Sequence, residues 1–155
     1  MFHLRSSLLA LACLSFPSMA SAQYGQPAVP EHLDCDAMDC ASVLPGAVRF
    51  EAVEDRPFVV GLDASGEPLG WVVMSTDLVD ISAYSGRPLI TLIGFRADGV
   101  IAGARVLHHS EPILLVGIPE ARLHEFVATY AGRRADARVV VGHSTTPGAV
   151  EVDSI

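Results

Sequence analysis

Between Leu89 and Leu107 the chain carries two β-branched arms, Leu89 to Phe95 and Val100 to Leu107, joined through Arg96-Ala97-Asp98-Gly99. Such arms favour extended backbone, and Asp-Gly supplies the positive φ angles of a tight hairpin turn, so the segment predicts an antiparallel hairpin. A second hairpin is expected upstream, where Phe58 to Leu62 and Leu69 to Ser75 flank Asp63-Ala64-Ser65-Gly66-Glu67-Pro68. Pro119 and Glu120 open an amphipathic helix that closes near Gly132. Its Leu123, Phe126, Val127 and Tyr130 recur at helical spacing as one apolar stripe, while Arg122, Glu125 and Thr129 face water. Each stripe residue that buries against the sheet gains roughly 1.5–3 kcal/mol.

The remaining elements are weaker in pattern. A short helix is expected between His32 and Phe50, carrying Leu33, Met38, Val43 and Leu44 and ending at Pro45-Gly46. Val139 to Val141 and Ala149 to Val152 read as two further strands around Thr145-Thr146-Pro147-Gly148, and the apolar run Ile113 to Ile118 is strand-sized. Hairpins with helices inserted, rather than strict β-α alternation, indicate an α+β fold: an antiparallel sheet with one or two packed helices. Val150 and Val152 begin an alternating strand, and the sequence stops three residues later at Ile155, which reads either as a frayed terminus or as a polypeptide cut inside a longer domain.

The first 22 residues read as an export signal: Met-Phe-His-Leu-Arg, an apolar run from Leu8 to Phe16, then Pro17 and the small-residue triplet Ala20-Ser21-Ala22. Cleavage is expected between Ala22 and Gln23; the alternatives are a buried N-terminal helix or a lipoprotein acylated at Cys13. The run is far short of the ~20 apolar residues that span a bilayer. Residues 23–43 then form a linker and the short helix, and 44–155 a single partial domain. The mature part holds 9 Arg and no Lys against 18 acids, with no basic stripe, which argues against nucleic acid as a partner.

There is no phosphate-binding loop, dinucleotide fingerprint, Gly-x-Ser-x-Gly elbow or His-Glu-x-x-His, so an autonomous enzyme of a familiar hydrolase or nucleotide-binding type is disfavoured. Three features remain. Cys35 and Cys40 stand five apart beside His32, Asp34, Asp36 and Asp39. In an oxidising compartment they would close a small disulfide loop, the other possibilities being a metal site or separate thiols. His108-His109-Ser110-Glu111-Pro112 ends the second hairpin. Adjacent His residues on a strand point to opposite faces, so at most one faces a given pocket, and the motif fits a solvated strand end, metal ligands or a proton relay. Tyr84-Ser85-Gly86-Arg87-Pro88 is a loop whose Gly lets a ligand approach the backbone.

Together with Leu44-Pro45-Gly46-Ala47, Gly66 to Trp71 and Gly117 to Leu123, these motifs resemble the N-terminal periplasmic domain of the NosR/NirI family. The run from Tyr84 to Leu123 is the most specific part. Members of that family are membrane-bound regulatory and electron-transfer proteins of nitrous-oxide respiration. The resemblance implies a domain similar to the FMN-binding domain of RnfG and NqrC subunits, in which FMN is esterified to the Thr of a Ser-Gly-Ala-Thr motif. On this reading Tyr84, Ser85, Gly86, His108, His109, Glu111 and Pro112 lie near the flavin, and no metal is expected. Glu111 and Pro112 match the wider group's His-Glu-Thr-Pro-Gly pattern, whereas its Thr and Gly are not matched. The 155 residues contain no Ser-Gly-Ala-Thr; Thr145 and Thr146 lie upstream of where it would begin. The implied function is that of an exported, periplasmic N-terminal fragment supporting nitrous-oxide reductase expression, maturation or electron supply. Its implied partners are the rest of a NosR-type protein and nitrous-oxide reductase or its maturation factors. The rival readings are a stand-alone periplasmic binding or scaffold module without cofactor, and a metal-handling protein using His108, His109 and Glu111.

Overall fold

The computed structural model describes residues 28–141 and 150–152. The signal, the start of the linker, the Thr145-Thr146-Pro147-Gly148 turn, Ala149 and the last three residues lie outside the described residues. Five strands, β1 (Arg49–Ala52), β2 (Phe58–Leu62), β3 (Pro68–Met74), β4 (Ile90–Arg96) and β5 (Ile101–His108), make one antiparallel sheet in chain order. This is an α+β fold on a sheet of hairpins.

Both hairpins turn by the same device. In β4–β5, the Gly99 N–H donates to Arg96 O at 2.9 Å, the Arg96 N–H to Val100 O at 2.8 Å, and Gly99 alone is left-handed, at φ +80°. Asp98 keeps a negative φ and instead accepts the Val100 N–H at 3.1 Å. The turn is thus a three-residue loop whose left-handed glycine closes it, rather than a two-residue turn with two positive φ angles. Asp63 serves β2–β3 in the same way, its carboxylate taking the N–H groups of Ser65 and Glu67 at 2.8 and 3.0 Å, with Gly66 at φ +88°. The Ser65 hydroxyl, first among these donors, holds the Asp63 carboxyl below its ordinary pKa.

One face of the sheet carries the main core. Val72 and Met74 of β3 and Leu92 of β4 meet Cys40, Val43 and Leu44 from the N-terminal strap, all fully buried. Gly94 and Gly103 sit opposite each other in register, and a side chain at either would run into the Val43 backbone. Where a helix was expected, the strap is an Asp34-capped turn followed by one 3-10 turn, Cys40–Ser42. Asp34 and Asp39 take backbone N–H groups that a helix would need for itself. The Pro45-Gly46 turn closes the strap, with Gly46 at φ +95°.

The other face is covered in part. Three short helices follow the strands: α1 (Ser75–Leu78), α2 (Pro112–Val116) and α3 (Glu120–Ala128). Ser75, expected to end a strand, begins α1, and the strand-sized apolar run from Ile113 is helical because Pro112 presets the first turn. Leu123 and Val127 of α3 bury against Val106, whereas Phe126 and Tyr130 are half-buried and stacked edge to face at 5.8 Å. Thr129, expected to face water, is half-buried and its hydroxyl donates back to Phe126 O at 2.7 Å. The last two strands, β6 (Val139–Val141) and β7 (Val150–Val152), form a separate parallel pair instead of extending the antiparallel sheet. Among the described residues no helix is long and apolar enough to cross a membrane.

Candidate functional site

The segment from Ala83 to Arg87 folds into a tight turn, with the Ala83 N–H donating to Arg87 O and the Gly86 N–H to Ala83 O, both at 3.0 Å. Gly86 is left-handed at φ +77° and nothing lies within 4 Å of where its Cβ would be, so the backbone there is open to approach. Glu111 precedes α2 but does not cap it. Its carboxylate instead accepts the Ser85 N–H at 3.0 Å, across 26 residues of sequence. That bond brings the Tyr84–Pro88 loop and the His108–Pro112 segment together.

Hydrogen bonding from Ser85, with a smaller contribution from the nearby His109 charge, holds the Glu111 carboxyl below its ordinary pKa. His108 is the last residue of β5 and His109 lies beyond it, so strand alternation does not set where His109 points. The His109 Nδ1 is buried and has no hydrogen-bond partner among the described residues. Tyr84 is 89% exposed and Gly86 and Pro112 are exposed too, so these three stand outside any enclosed space. Among the described residues no three His, Cys, Asp or Glu side chains are grouped to hold a metal, so the metal reading of His108, His109 and Glu111 lacks geometric support.

Next to this staple lies a cavity of about 410 Å³. Its floor is the face of the β4–β5 hairpin that carries Ile93, Ala104 and Val106; Leu123, Phe126 and Val127 of α3 form one wall. Val79, Ile81, Ala83 and Pro88 form the opposite side, so the residues flanking the Tyr84–Arg87 turn line the cavity while the turn itself does not. No charged residue lines it. Ser75 and Thr76 of α1 border it: the Ser75 hydroxyl donates to Leu89 O at 3.1 Å and accepts the Thr91 N–H at 3.0 Å, whereas the Thr76 Oγ1 is buried without a partner among the described residues. Sequence reasoning passed over Thr76 because a lone Thr after an apolar strand carries no spacing signal.

The strap is fastened to the same helix. Asp77, 10% exposed, accepts the Leu33 N–H at 2.8 Å and pairs with His32 Nδ1 at 2.9 Å, which raises the His32 pKa above its ordinary value. Cys35 and Cys40 are joined as a disulfide, with Cα atoms 5.5 Å apart.

Fold and cleft together define a small α+β domain in which, among the described residues, a hairpin, a short helix and a stapled loop border an open apolar cleft. The chain belongs to the NosR/NirI family. It is 43% identical to the regulatory protein NosR of Pseudomonas aeruginosa over 79% of its length, and 42% identical to the regulatory protein NosR of Stutzerimonas stutzeri over 72%. It is 34% identical to the protein NirI of Paracoccus denitrificans over 68%. The matches take in 17%, 15% and 16% of those proteins, so the chain spans about one sixth of the length of these curated relatives. No model of a known protein family matches the chain.

Proposed function

We propose that the chain is the exported, periplasmic N-terminal part of a NosR-type regulatory protein, acting in the expression, maturation or electron supply of nitrous-oxide reductase through a flavin-binding domain. The observation that carries this reading is the 43% identity to a regulatory protein NosR over 79% of the chain. Its partners on this reading are the remainder of the NosR-type polypeptide and nitrous-oxide reductase or its maturation factors.

The residues present fit FMN. A flat, largely apolar ring suits a chamber of about 410 Å³ without charged walls, a size common to small-molecule sites. One buried polar atom bordering the chamber, Thr76 Oγ1, has no partner among the described residues and offers it a hydrogen bond. When bound, FMN supplies one- and two-electron transfer. The chain's own residues position and shield: the Ser85–Glu111 staple fixes the loop beside the chamber, the open Gly86 backbone leaves room for close approach, and α3 excludes water from one side.

The test compares this chain with the polypeptide translated past Ile155 through the next Ser-Gly-Ala-Thr, each co-expressed with a flavin transferase. The longer product is expected to be yellow and to gain the mass of one FMN, and the 155-residue chain, which has no such motif, to gain none. A longer product without FMN overturns the flavin reading in favour of a cofactor-free binding module. FMN esterified to the short chain overturns the assignment of the acceptor beyond it.

A further inference from the structure

We infer that the cavity between the strap, the β1–β2 turn and α1 binds a small organic acid, its carboxylate held by Arg56 and His32 and its apolar body lying against Leu33 and Phe58. The site stands on its own residues: it shares only Thr76 with the apolar chamber, and nothing in it depends on a flavin.

The cavity measures about 420 Å³, a size suited to a small molecule, and its charged lining residues are His32 of the strap, Arg56 of the turn and Asp77 of α1. The turn fixes the backbone on both sides of Arg56. Its N–H donates to Val53 O at 3.1 Å, Asp55 before it is left-handed at φ +56°, and Pro57 after it restricts it to extended backbone. Glu54 and Asp55 share the turn, yet among the described residues Arg56 makes no ion pair. Its planar fork is therefore open to a carboxylate, which it matches with paired hydrogen bonds. His32 supplies the other cation. Its Nδ1 is committed to Asp77 at 2.9 Å, which leaves Nε2 for a ligand. In the protonated ring Nε2 donates; in the neutral ring, with the proton kept at Nδ1 by the Asp77 carboxylate, Nε2 is an acceptor and repels an anion. Asp77 and, more weakly, Glu31 are the acids that act on the ring, and both favour its charged form. Asp77 also selects among anions: its carboxylate borders the cavity, so a singly charged ligand is tolerated where a dianionic phosphate is repelled. Leu33, Pro57, Phe58 and Val59 complete the lining and favour a hydrocarbon body on that ligand.

The probe is phenylacetate, a carboxylate on one aromatic ring, titrated into the chain by calorimetry at about pH 5.5 and about pH 9, where it stays ionised while His32 changes charge. Binding is expected at the lower pH and to be about tenfold weaker at the higher. Arg56→Gln, on an exposed turn, is expected to weaken binding about tenfold at the lower pH and to leave the melting temperature unchanged. His32→Gln, with circular dichroism reporting the fold, binds weakly at both pH values, which assigns the pH dependence to this ring rather than to another histidine. The inference falls if the parent chain does not bind phenylacetate at the lower pH, if Arg56→Gln binds it equally, or if His32→Gln keeps the parent's pH dependence. It falls equally if neutral phenylacetamide binds as well, or if inorganic phosphate displaces the probe at equal concentration, since the charge or the hydrocarbon body would then count for nothing. None of these outcomes bears on whether the longer polypeptide carries FMN.

Discussion

Two side-chain contacts set opposite ends of the pH range. His32, raised by its hydrogen bond to Asp77 and then by that carboxylate's charge, stabilises the fold fully below its unfolded pKa of about 6.5 and loses that contribution as pH rises through its folded value. Glu111, lowered by Ser85, does the reverse: its contribution is present above its unfolded pKa of about 4.3 and is lost as pH falls through the folded value. The strap latch and the loop staple are therefore both in full force between about pH 4.3 and 6.5. In thermal melts, Asp77→Asn, which keeps an acceptor for the Leu33 N–H, should flatten the alkaline limb, and Glu111→Gln should reduce the acid limb. The acid limb persists in part, since Asp63, Asp98 and Asp136 are lowered by their own partners. Unchanged limbs in both variants would mean that neither contact titrates with the fold.

Among the elements, the strap and the hairpin beneath it are fitted backbone to backbone. Gly94→Ala puts a methyl into the Val43 carbonyl, and because both parties are main chain the strap has to lift; a loss of roughly 3 kcal/mol is expected in denaturant melts. Gly66→Ala is the contrast, a left-handed position in open space that should lose only about 1 kcal/mol. Equal losses would show that the close approach at Gly94 does not constrain the strap. The hairpins were legible in sequence because β-branched arms and Asp or Gly at fixed offsets act locally. Strand β1 was not: Arg49 and Glu51 are exposed on an edge, and only Phe50 is half-buried, so no apolar alternation marks it. The run at Ile113 gave no element type, because five apolar residues have no resolvable period. At the candidate site, the motifs at Tyr84 and His108 could be read, but the bond that joins them spans 26 residues and the chamber is assembled from four separate elements, which no local pattern encodes.

Over the whole molecule, stability is divided unevenly between the two faces of the sheet. The strap side has Val72, Met74, Leu92, Val43 and Leu44 fully buried and a disulfide closing its loop, which adds about 2 kcal/mol by restricting the unfolded chain. The α3 side rests on Val106, Leu123 and Val127 around an apolar chamber, beside exposed Ile113, Leu115 and Val116 of α2. Amide hydrogen exchange should accordingly rank β3 and β4 slowest and α2 and α3 fastest, with thiol labelling of the unreduced protein finding neither Cys35 nor Cys40 free. Reduction should then speed exchange at Val43 and Leu44 more than at Leu123. Uniform exchange across both faces, or free thiols, would contradict this division. The consequence is mechanical: the sheet is a stiff plate with one compliant side, so a guest entering beneath α3 can be admitted by local breathing while the plate stays folded, and its arrival should register as quieting of α3 alone.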